Sequence, residues 1–425
     1  MDRKKSQLEF IDLFAGLGGF HVGMNKLGHK CVFASEKKEV LADLYSQNFD
    51  IEPNRDITKI SPEFIPRHDF LCAGFPCQPF SKAGDQKGLE DERNGNLFYK
   101  IYDILKYHNP EYFILENVAN LEKHDSGHTW KVINTMLSDR LGYSVEKKIL
   151  SPHELGIPQH RQRLFIVGAK NGLNHFKWPK QKAINFDLDS FLDKTPNAIP
   201  LEKEKRYVLS LWQEFIDRLP KSTQIPSWPI WSMEFGATYP FEESTPFYTS
   251  SRKLGSLKGS FGTRLKGLKR EEKFSQLPSY ARIDQTQFPT WKKHYIRSNR
   301  QFYKDNKKFI KPVVKKIREL EVPSWQKFEW NIKDGKRKIS KHLVQFRGSG
   351  VRIKRFDYFP ALVTVSTQIP IIAKHERYLT PREGARIQSL NGLKLPKNLG
   401  TCFGALGNAV NAKVVYLVAK NLINE

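Results

Sequence analysis

Cysteine is scarce in this chain: four residues, Cys31, Cys72, Cys77 and Cys402, among 425. None stands in a Cys-x-x-Cys spacing, which argues against a zinc module, and four are too few for a disulfide scaffold. Free thiols in a reducing cytoplasm are therefore expected. No run of eighteen apolar residues occurs, so no transmembrane helix is expected. The opening residues pass straight into a strand without the apolar segment of a secretory leader. Acidic residues are also in short supply, 45 against 70 Lys and Arg, for a net charge of +25. Residues 251–360 hold 30 Lys and Arg against 9 Asp and Glu, so +21 of that charge lies in one block. A block of this size implies a polyanionic partner. Aromatics such as Phe274, Tyr280, Trp291, Phe328 and Trp330 are interleaved with the basic residues, and no basic amphipathic helix stands out. Both points favour nucleic acid over an acidic membrane.

The length suggests two or three domains at about 150 residues each. The apolar stretch Leu8–Phe14 reads as a strand, and Ala15-Gly16-Leu17-Gly18-Gly19 as a glycine-rich turn into a helix. Glycines at such a turn let backbone approach a ligand closely. His21 occupies the place of the third glycine of a dinucleotide fingerprint, so that motif is excluded. The next strand ends at Glu36, where an acid suits ribose hydroxyls. Asp69–Gly74 is a buried strand that runs into Phe75-Pro76-Cys77-Gln78-Pro79-Phe80-Ser81. Pro76 and Pro79 stiffen that loop and leave the Cys77 thiol at a strand's C-terminal end, where open α/β sheets place ligands. Asn94–His108 has helical spacing, and Tyr112–Leu115 is a buried strand ending in Glu116-Asn117-Val118. Gln159-His160-Arg161-Gln162-Arg163 precedes another strand, with its two arginines at i and i+2 on one side. Alternating strands and helices indicate a doubly wound α/β domain. From about residue 170 to 373 periodicity is scarce and prolines are frequent, which reads as an inserted second domain. Pro381–Leu390 reads as a helix, and Gly407-Asn408-Ala409-Val410 as the start of a last one.

Together these stretches resemble a cytosine-C5 DNA methyltransferase of the bacterial type. The matching order is Phe14–Gly19, Glu36, Asp56-Ile57, Pro76-Cys77-Gln78, Glu116-Asn117-Val118, Gln159-x-Arg161-x-Arg163, Arg382-Glu383-x-Ala385-Arg386-x-Gln388 and Gly407–Val410. The resemblance covers roughly residues 8–170 and 376–425. It implies a Rossmann-like class I methyltransferase sheet, with residues 171–375 as an inserted target-recognition domain. The implied cofactor is S-adenosyl-L-methionine, contacted by Phe14, Ala15, Gly16, Leu17, Gly18, Gly19, Glu36, Asp56, Ile57, Pro76, Leu97, Asn408 and Ala409. The implied partner is double-stranded DNA, from which the target cytosine is flipped at about a few kcal/mol. A cognate restriction endonuclease fits a modification enzyme, a monomer is expected, and no metal and no membrane are implied.

Cytosine C5 is too weak a nucleophile to take a methyl group directly. A thiolate adding at C6 turns the ring into an enamine. Cys77 has that role in the resemblance, and Glu116 would protonate N3 if its pKa is raised. Asn117 would orient Glu116, and Arg161 and Arg163 would meet the base carbonyl and a flanking phosphate. Gln78, Ser81, Gln159, Arg347, Arg352, Lys354 and Arg355 are expected at the DNA, the last four as base readers or phosphate binders. The Thr-Leu pair common in the family's recognition domain is missing; Thr364-Val365 is the nearest match. A tRNA cytosine methyltransferase shares the Pro-Cys-Gln and Glu-Asn-Val motifs. A catalytically dead DNA-binding regulator would show damage at the nucleophile, the acid or the cofactor turn, and none is visible.

Overall fold

The computed structural model describes residues 7–76, 97–182, 186–194, 197–333, 335–362 and 368–423. They fall into two compact units: one of residues 1–196, 357–366 and 380–425, and one of residues 197–356 and 367–379. The boundaries expected from sequence were at 170/171 and 375/376. Beyond residue 170, Arg386 holds the segment before the division to the first unit, donating to Phe191 O (2.5 Å) and Asp193 Oδ1 (2.7 Å). Cys77, Gln78, Ser81, Pro79, Thr364 and Val365 lie outside the described residues.

The first unit contains strands β1 (Glu9–Leu13), β2 (Lys30–Ser35), β3 (Phe70–Gly74), β4 (Tyr112–Val118), β5 (Ser144–Leu150), β6 (Gln159–His160) and β7 (Arg163–Ala169). Helices α1 (Gly19–Asn25), α2 (Glu39–Phe49), α3 (Leu97–His108) and α4 (His128–Thr135) alternate with them. The sheet order is β2-β1-β3-β4-β7-β5. β1 to β4 run parallel, and β7 is antiparallel to both its neighbours. The parallel strands are covered on both faces, which is why they read as continuous apolar runs; Phe70 to Ala73 are wholly buried. On one face Phe98, Ile101, Ile104 and Leu105 of α3 close the core. On the other, Phe20 and Met24 of α1 pack with Val414, Val415 and Val418 near the C-terminus. The chain winds from β1 to β2 on one side and then to β3 on the other, so a crevice opens between β1 and β3 at their carboxyl ends.

Two C-terminal segments differ from expectation. The helix beginning at Pro381 stops at Ile387, because Ser389 takes φ 59°. Gly407-Asn408 ends a helix, Leu399–Asn408, and does not begin one. Ala409 is extended, and Asn411 caps the next helix, Ala412–Leu422, by accepting from Lys413 N (3.1 Å) and Val414 N (3.3 Å). The stretch Leu399–Leu422 is apolar enough by composition to cross a membrane, but 72% of its most apolar window is buried. Close packing of α1 on these segments needs glycine: a Cβ on Gly19 would lie 2.2 Å from Val410 O, and one on Gly23 2.7 Å from Val415.

The second unit has a six-stranded sheet in the order Arg377–Tyr378, Ile371–Ile372, Leu343–Arg347, Gly350–Lys354, Lys327–Asn331, Ile230–Trp231. Helices Lys203–Arg218 and Thr290–Arg318 pack together beside it. The second is a basic amphipathic helix of 29 residues that the periodicity reading missed. Its apolar row of Ile296, Phe302, Ile310, Val313 and Ile317 is interrupted at core positions by Asn299 and Asn306. Asn299 earns burial through hydrogen bonds to Trp231 N (2.7 Å) and Pro229 O (3.0 Å). The interleaved aromatics also change meaning. Phe288, Phe328 and Trp330 are buried, and Trp212 stacks on Phe328 at 4.6 Å. These side chains build this unit's core, whereas Trp291 is exposed.

Candidate active site

The crevice at the β1/β3 switch is a cavity of about 700 Å³ within the first unit. Phe14, Ala15 and Gly16 form one wall, where the chain leaves β1. Phe14 and Gly16 both take the left-handed conformation, φ 57° and 56°. At Gly16 that conformation, and not crowding, demands glycine. Glu36 follows β2, and its carboxylate accepts from Gly16 N (2.9 Å) and Lys38 N (2.8 Å). Asp56 and Ile57 form a further part of the lining. Asp56 Oδ1 accepts from the Thr58 hydroxyl (2.7 Å) and Thr58 N (3.1 Å), and Lys37 Nζ stands 3.4 Å from its other oxygen. The Thr58 hydroxyl, with help from Lys37, holds the Asp56 carboxyl below its ordinary range. Pro76, Leu97, Asn408 and Ala409 reach the same cavity. Leu17, Gly18 and Gly19 do not line it. Leu17 is buried, Gly18 backs onto Phe49 and Gly19 onto Val410.

Glu116, Asn117, Arg161 and Arg163 share this cavity. Glu116 stands at the end of β4 opposite Gly74, where a Cβ would come within 3.1 Å of Val410 and 3.7 Å of the Glu116 carboxylate. Arg163 Nε lies 3.0 Å from Glu116 Oε1. Burial pushes the Glu116 pKa up, against the pull of Arg163 and Arg161. Arg161 is almost wholly buried and donates to Gly407 O (2.6 Å) and Ala409 O (3.2 Å), while its Nε has no partner among the described residues. Burial, reinforced by Arg163, lowers Arg161 to about 9. Its guanidinium thus braces the turn that carries Asn408. Asn117 does not orient Glu116: its Nδ2 donates to Phe75 O (3.0 Å) and its Oδ1 accepts from Val118 N (2.8 Å). It fixes the backbone just ahead of Pro76.

Residues 8–424 match the family model of the C-5 cytosine-specific DNA methylases. The chain belongs to that family. It is 37% identical to the type II methyltransferase M.HhaI of Haemophilus parahaemolyticus over 226 residues, which cover 53% of this chain and 68% of that relative. Against the type II methyltransferase M.HaeII of Haemophilus aegyptius it is 47% identical over 204 residues, covering 47% of this chain and 63% of that one. Its fold is similar to that of the Entamoeba histolytica methyltransferase EhMeth, at 14% identity, 99% coverage of both chains and a TM-score of 0.53. The reaction of a C-5 cytosine-specific DNA methylase is methyl transfer to C5 of cytosine in DNA, with S-adenosyl-L-methionine as donor.

The cavity of this methylase fits that donor. Each oxygen of the Glu36 carboxylate accepts one backbone N–H, which leaves lone pairs for ribose hydroxyls. Ile57, Leu97 and Phe14 supply apolar surface for a flat base. Val410, part of the Gly407–Val410 motif, lines the cavity too, as do Lys37, Lys38, Leu41 and Thr58, which no motif singled out. For Lys37 and Lys38 the available signal was their place just past the end of β2; Leu41 lies within α2 and gave none.

Of the residues expected at DNA, Gln159 is fully buried in β6, paired with Phe359, so it presents no surface to a duplex. The basic segment 347–355 is a hairpin in the second unit, Leu343–Arg347 against Gly350–Lys354. Arg352 Nε pairs with Glu329 Oε2 at 2.6 Å, and Arg355 Nε donates to Ile332 O (2.9 Å). Both guanidiniums are therefore partly engaged inside the unit. Arg347 is half-buried, and burial, reinforced by the neighbouring Arg352, lowers its pKa. Lys354 is half-buried.

Proposed function

We propose that this chain is the modification methyltransferase of a type II restriction–modification system, working as a monomer in the cytoplasm beside a cognate endonuclease. The reading of its chemistry rests on one observation: a buried Glu116 with a raised pKa, 3.0 Å from Arg163, in the same cavity as Glu36 and Asn408. The Cys77 thiolate attacks C6 of the flipped cytosine, and electron density moves onto the ring. Protonated Glu116 hydrogen-bonds and protonates N3, which lowers the barrier to that attack. Arg163, with Nε at Glu116, keeps its remaining N–H groups for the base carbonyl or its phosphate. Asn117 holds Phe75 and hence the approach to the nucleophile. Phe14–Gly16, Glu36, Asp56, Ile57 and Asn408 would hold S-adenosylmethionine, which would supply an electrophilic methyl group to the activated C5 and leave as S-adenosylhomocysteine. Loss of the C5 proton and elimination of the thiol complete turnover.

The type II assignment rests on the relatives' own names, and the missing Thr-Leu pair leaves the recognised sequence to measurement. Bisulfite sequencing of DNA from cells expressing the protein should show protected cytosines in one sequence context. Labelled methyl transfer to tRNA but not to duplex DNA would overturn the reading. Cys77→Ser should abolish turnover while cofactor and duplex binding persist; an active Cys77→Ser protein refutes the covalent route.

A further inference from the structure

On the helix Thr290–Arg318 there are 11 Lys and Arg and one acid, Asp305. These cations are not spread around the helix. At about 100° per residue, Lys304, Lys307, Lys308, Lys311, Lys315 and Arg318 fall within an arc of roughly 100°. All six are exposed. The row is about 21 Å long at ~1.5 Å per residue.

Their partners set them apart from the other cations of this unit. Lys316, off the row, pairs with Glu214 at 2.9 Å, and Arg297 with Glu242 at 2.7 Å. Arg300 reaches the buried Glu234 at 3.0 Å. None of the six in the row forms an ion pair among the described residues. The one acid beside them, Asp305, accepts from Gln301 (2.7 Å); Glu319 follows the helix at its C-cap. A row of like charges at i, i+4, i+7 and i+11 repels itself by about 0.2–0.5 kcal/mol per neighbouring pair. Relief comes when a polyanion lies along it.

We infer that Lys304, Lys307, Lys308, Lys311 and Lys315 form a phosphate-binding ridge for the backbone of duplex DNA, independent of base sequence. An acidic membrane is the poorer fit. A membrane-binding helix must offer an apolar face, and here Ile296, Phe302, Ile310, Val313, Val314 and Ile317 are buried in the unit's own core. Between Lys304 and Arg318 the exposed positions are all charged except Pro312, and Trp291, exposed at the other end of the helix, lies outside the row. Lysine suits this task, since it meets phosphate as a charge without the bidentate geometry that reads guanine. The ridge would raise the chain's residence on any duplex and let it slide between sites. The inference rests on DNA being the substrate, not on any residue's part in catalysis.

The test is the salt dependence of binding. The full chain and a variant with all five lysines changed to Gln (Lys304→Gln, Lys307→Gln, Lys308→Gln, Lys311→Gln, Lys315→Gln) are titrated with a duplex of A·T pairs only, between 50 and 200 mM salt. Each lost phosphate contact should flatten the log–log slope by about 0.9, so a change of about 3–4.5 is expected, with at least a ~10-fold weaker Kd at the low-salt end. The matching five Lys→Arg changes should restore slope and affinity, which separates charge from folding. An unchanged slope in the Gln variant overturns the ridge. So does a variant that loses binding to phosphatidylserine vesicles while holding the duplex as before. Methylation of DNA by the parent, measured separately, keeps failure of the ridge distinct from failure of the proposed function.

Discussion

Glu116 carries the sharpest expectation at the scale of single residues. Its carboxyl is buried, and burial raises its pKa against two arginines. A proton donor with a raised pKa is competent below that pKa and fails as pH climbs through it. The rate of the methyl-transfer step should therefore have an alkaline limb assigned to Glu116. Glu116→Gln should lower kcat by about 10²–10⁴-fold and erase that limb in a single-turnover pH profile. A limb that survives in the variant belongs to another group. The acid was legible from sequence, since a charge directly after Tyr112–Leu115 is costly to bury without a task. Its neighbours were less so. Asn117 and Arg161 read as parts of the reacting centre, yet their side-chain N–H groups donate to backbone carbonyls. A side chain's type fixes what it can bond to, but only the fold decides which carbonyl lies within reach. Asp12 makes the same point. Fully buried in β1, it accepts from His21 N (3.3 Å) and the Tyr45 hydroxyl (3.4 Å) beneath the glycine turn. Nothing in Ile-Asp-Leu announces that.

At the scale of elements, the parallel strands and their glycine turn were plain from apolar runs and punctuation. The turn at Gly407–Val410 was assigned the wrong side of a helix boundary, because Asn408 and Asn411 are both plausible caps and only one is used. Gly19 shows why the boundary matters. Its missing Cβ lets α1 meet the Val410 carbonyl, which brings Asn408 to the cavity. Gly19→Ala forces a shift at a 2.2 Å contact with backbone. Overpacking of this kind costs about 1–3 kcal/mol. The expected result is a lower melting temperature and a raised KM for S-adenosylmethionine, with kcat little changed at saturation. An unaltered KM would mean the last helices can slide without disturbing the cofactor. In the second unit the 29-residue helix was hidden by polar residues at core positions, Asn299 and Asn306. Asn299 bonds to backbone, and Asn306 donates to Phe302 O (2.9 Å) and accepts from the Thr223 hydroxyl (3.5 Å), partners that a hydropathy pattern does not reveal.

For the whole molecule, charge proved more legible than its use. The basic block was visible by counting, but Phe288, Phe328 and Trp330 within it turned out to be core, while Trp291 is exposed. Acid should expose a different balance. Burial holds His21 and His68 down at about 4 each, whereas unfolded histidine titrates near ~6.5. With folded pKa values lowered, stability is fully present above about 6.5 and is lost as pH falls through about 4, up to roughly 3 kcal/mol per residue. The urea midpoint should fall between pH 7 and pH 4.5, and the fall should shrink in a His21→Phe/His68→Phe variant. Comparing parent with variant isolates these groups from Asp12 and Glu116, whose raised pKa values act in the opposite sense. An equal fall in both proteins would assign the acid sensitivity elsewhere.

Ala405, Asn408, Ala409 and Val410 line the cofactor cavity together with Phe14 to Gly16, although nearly four hundred residues separate them in the chain. A ribosome therefore finishes the lysine ridge long before it delivers the last wall of that cavity. For part of each round of translation the nascent protein can grip nucleic acid but has no place for a methyl donor, so premature termination near residue 395 would release a DNA binder that modifies nothing.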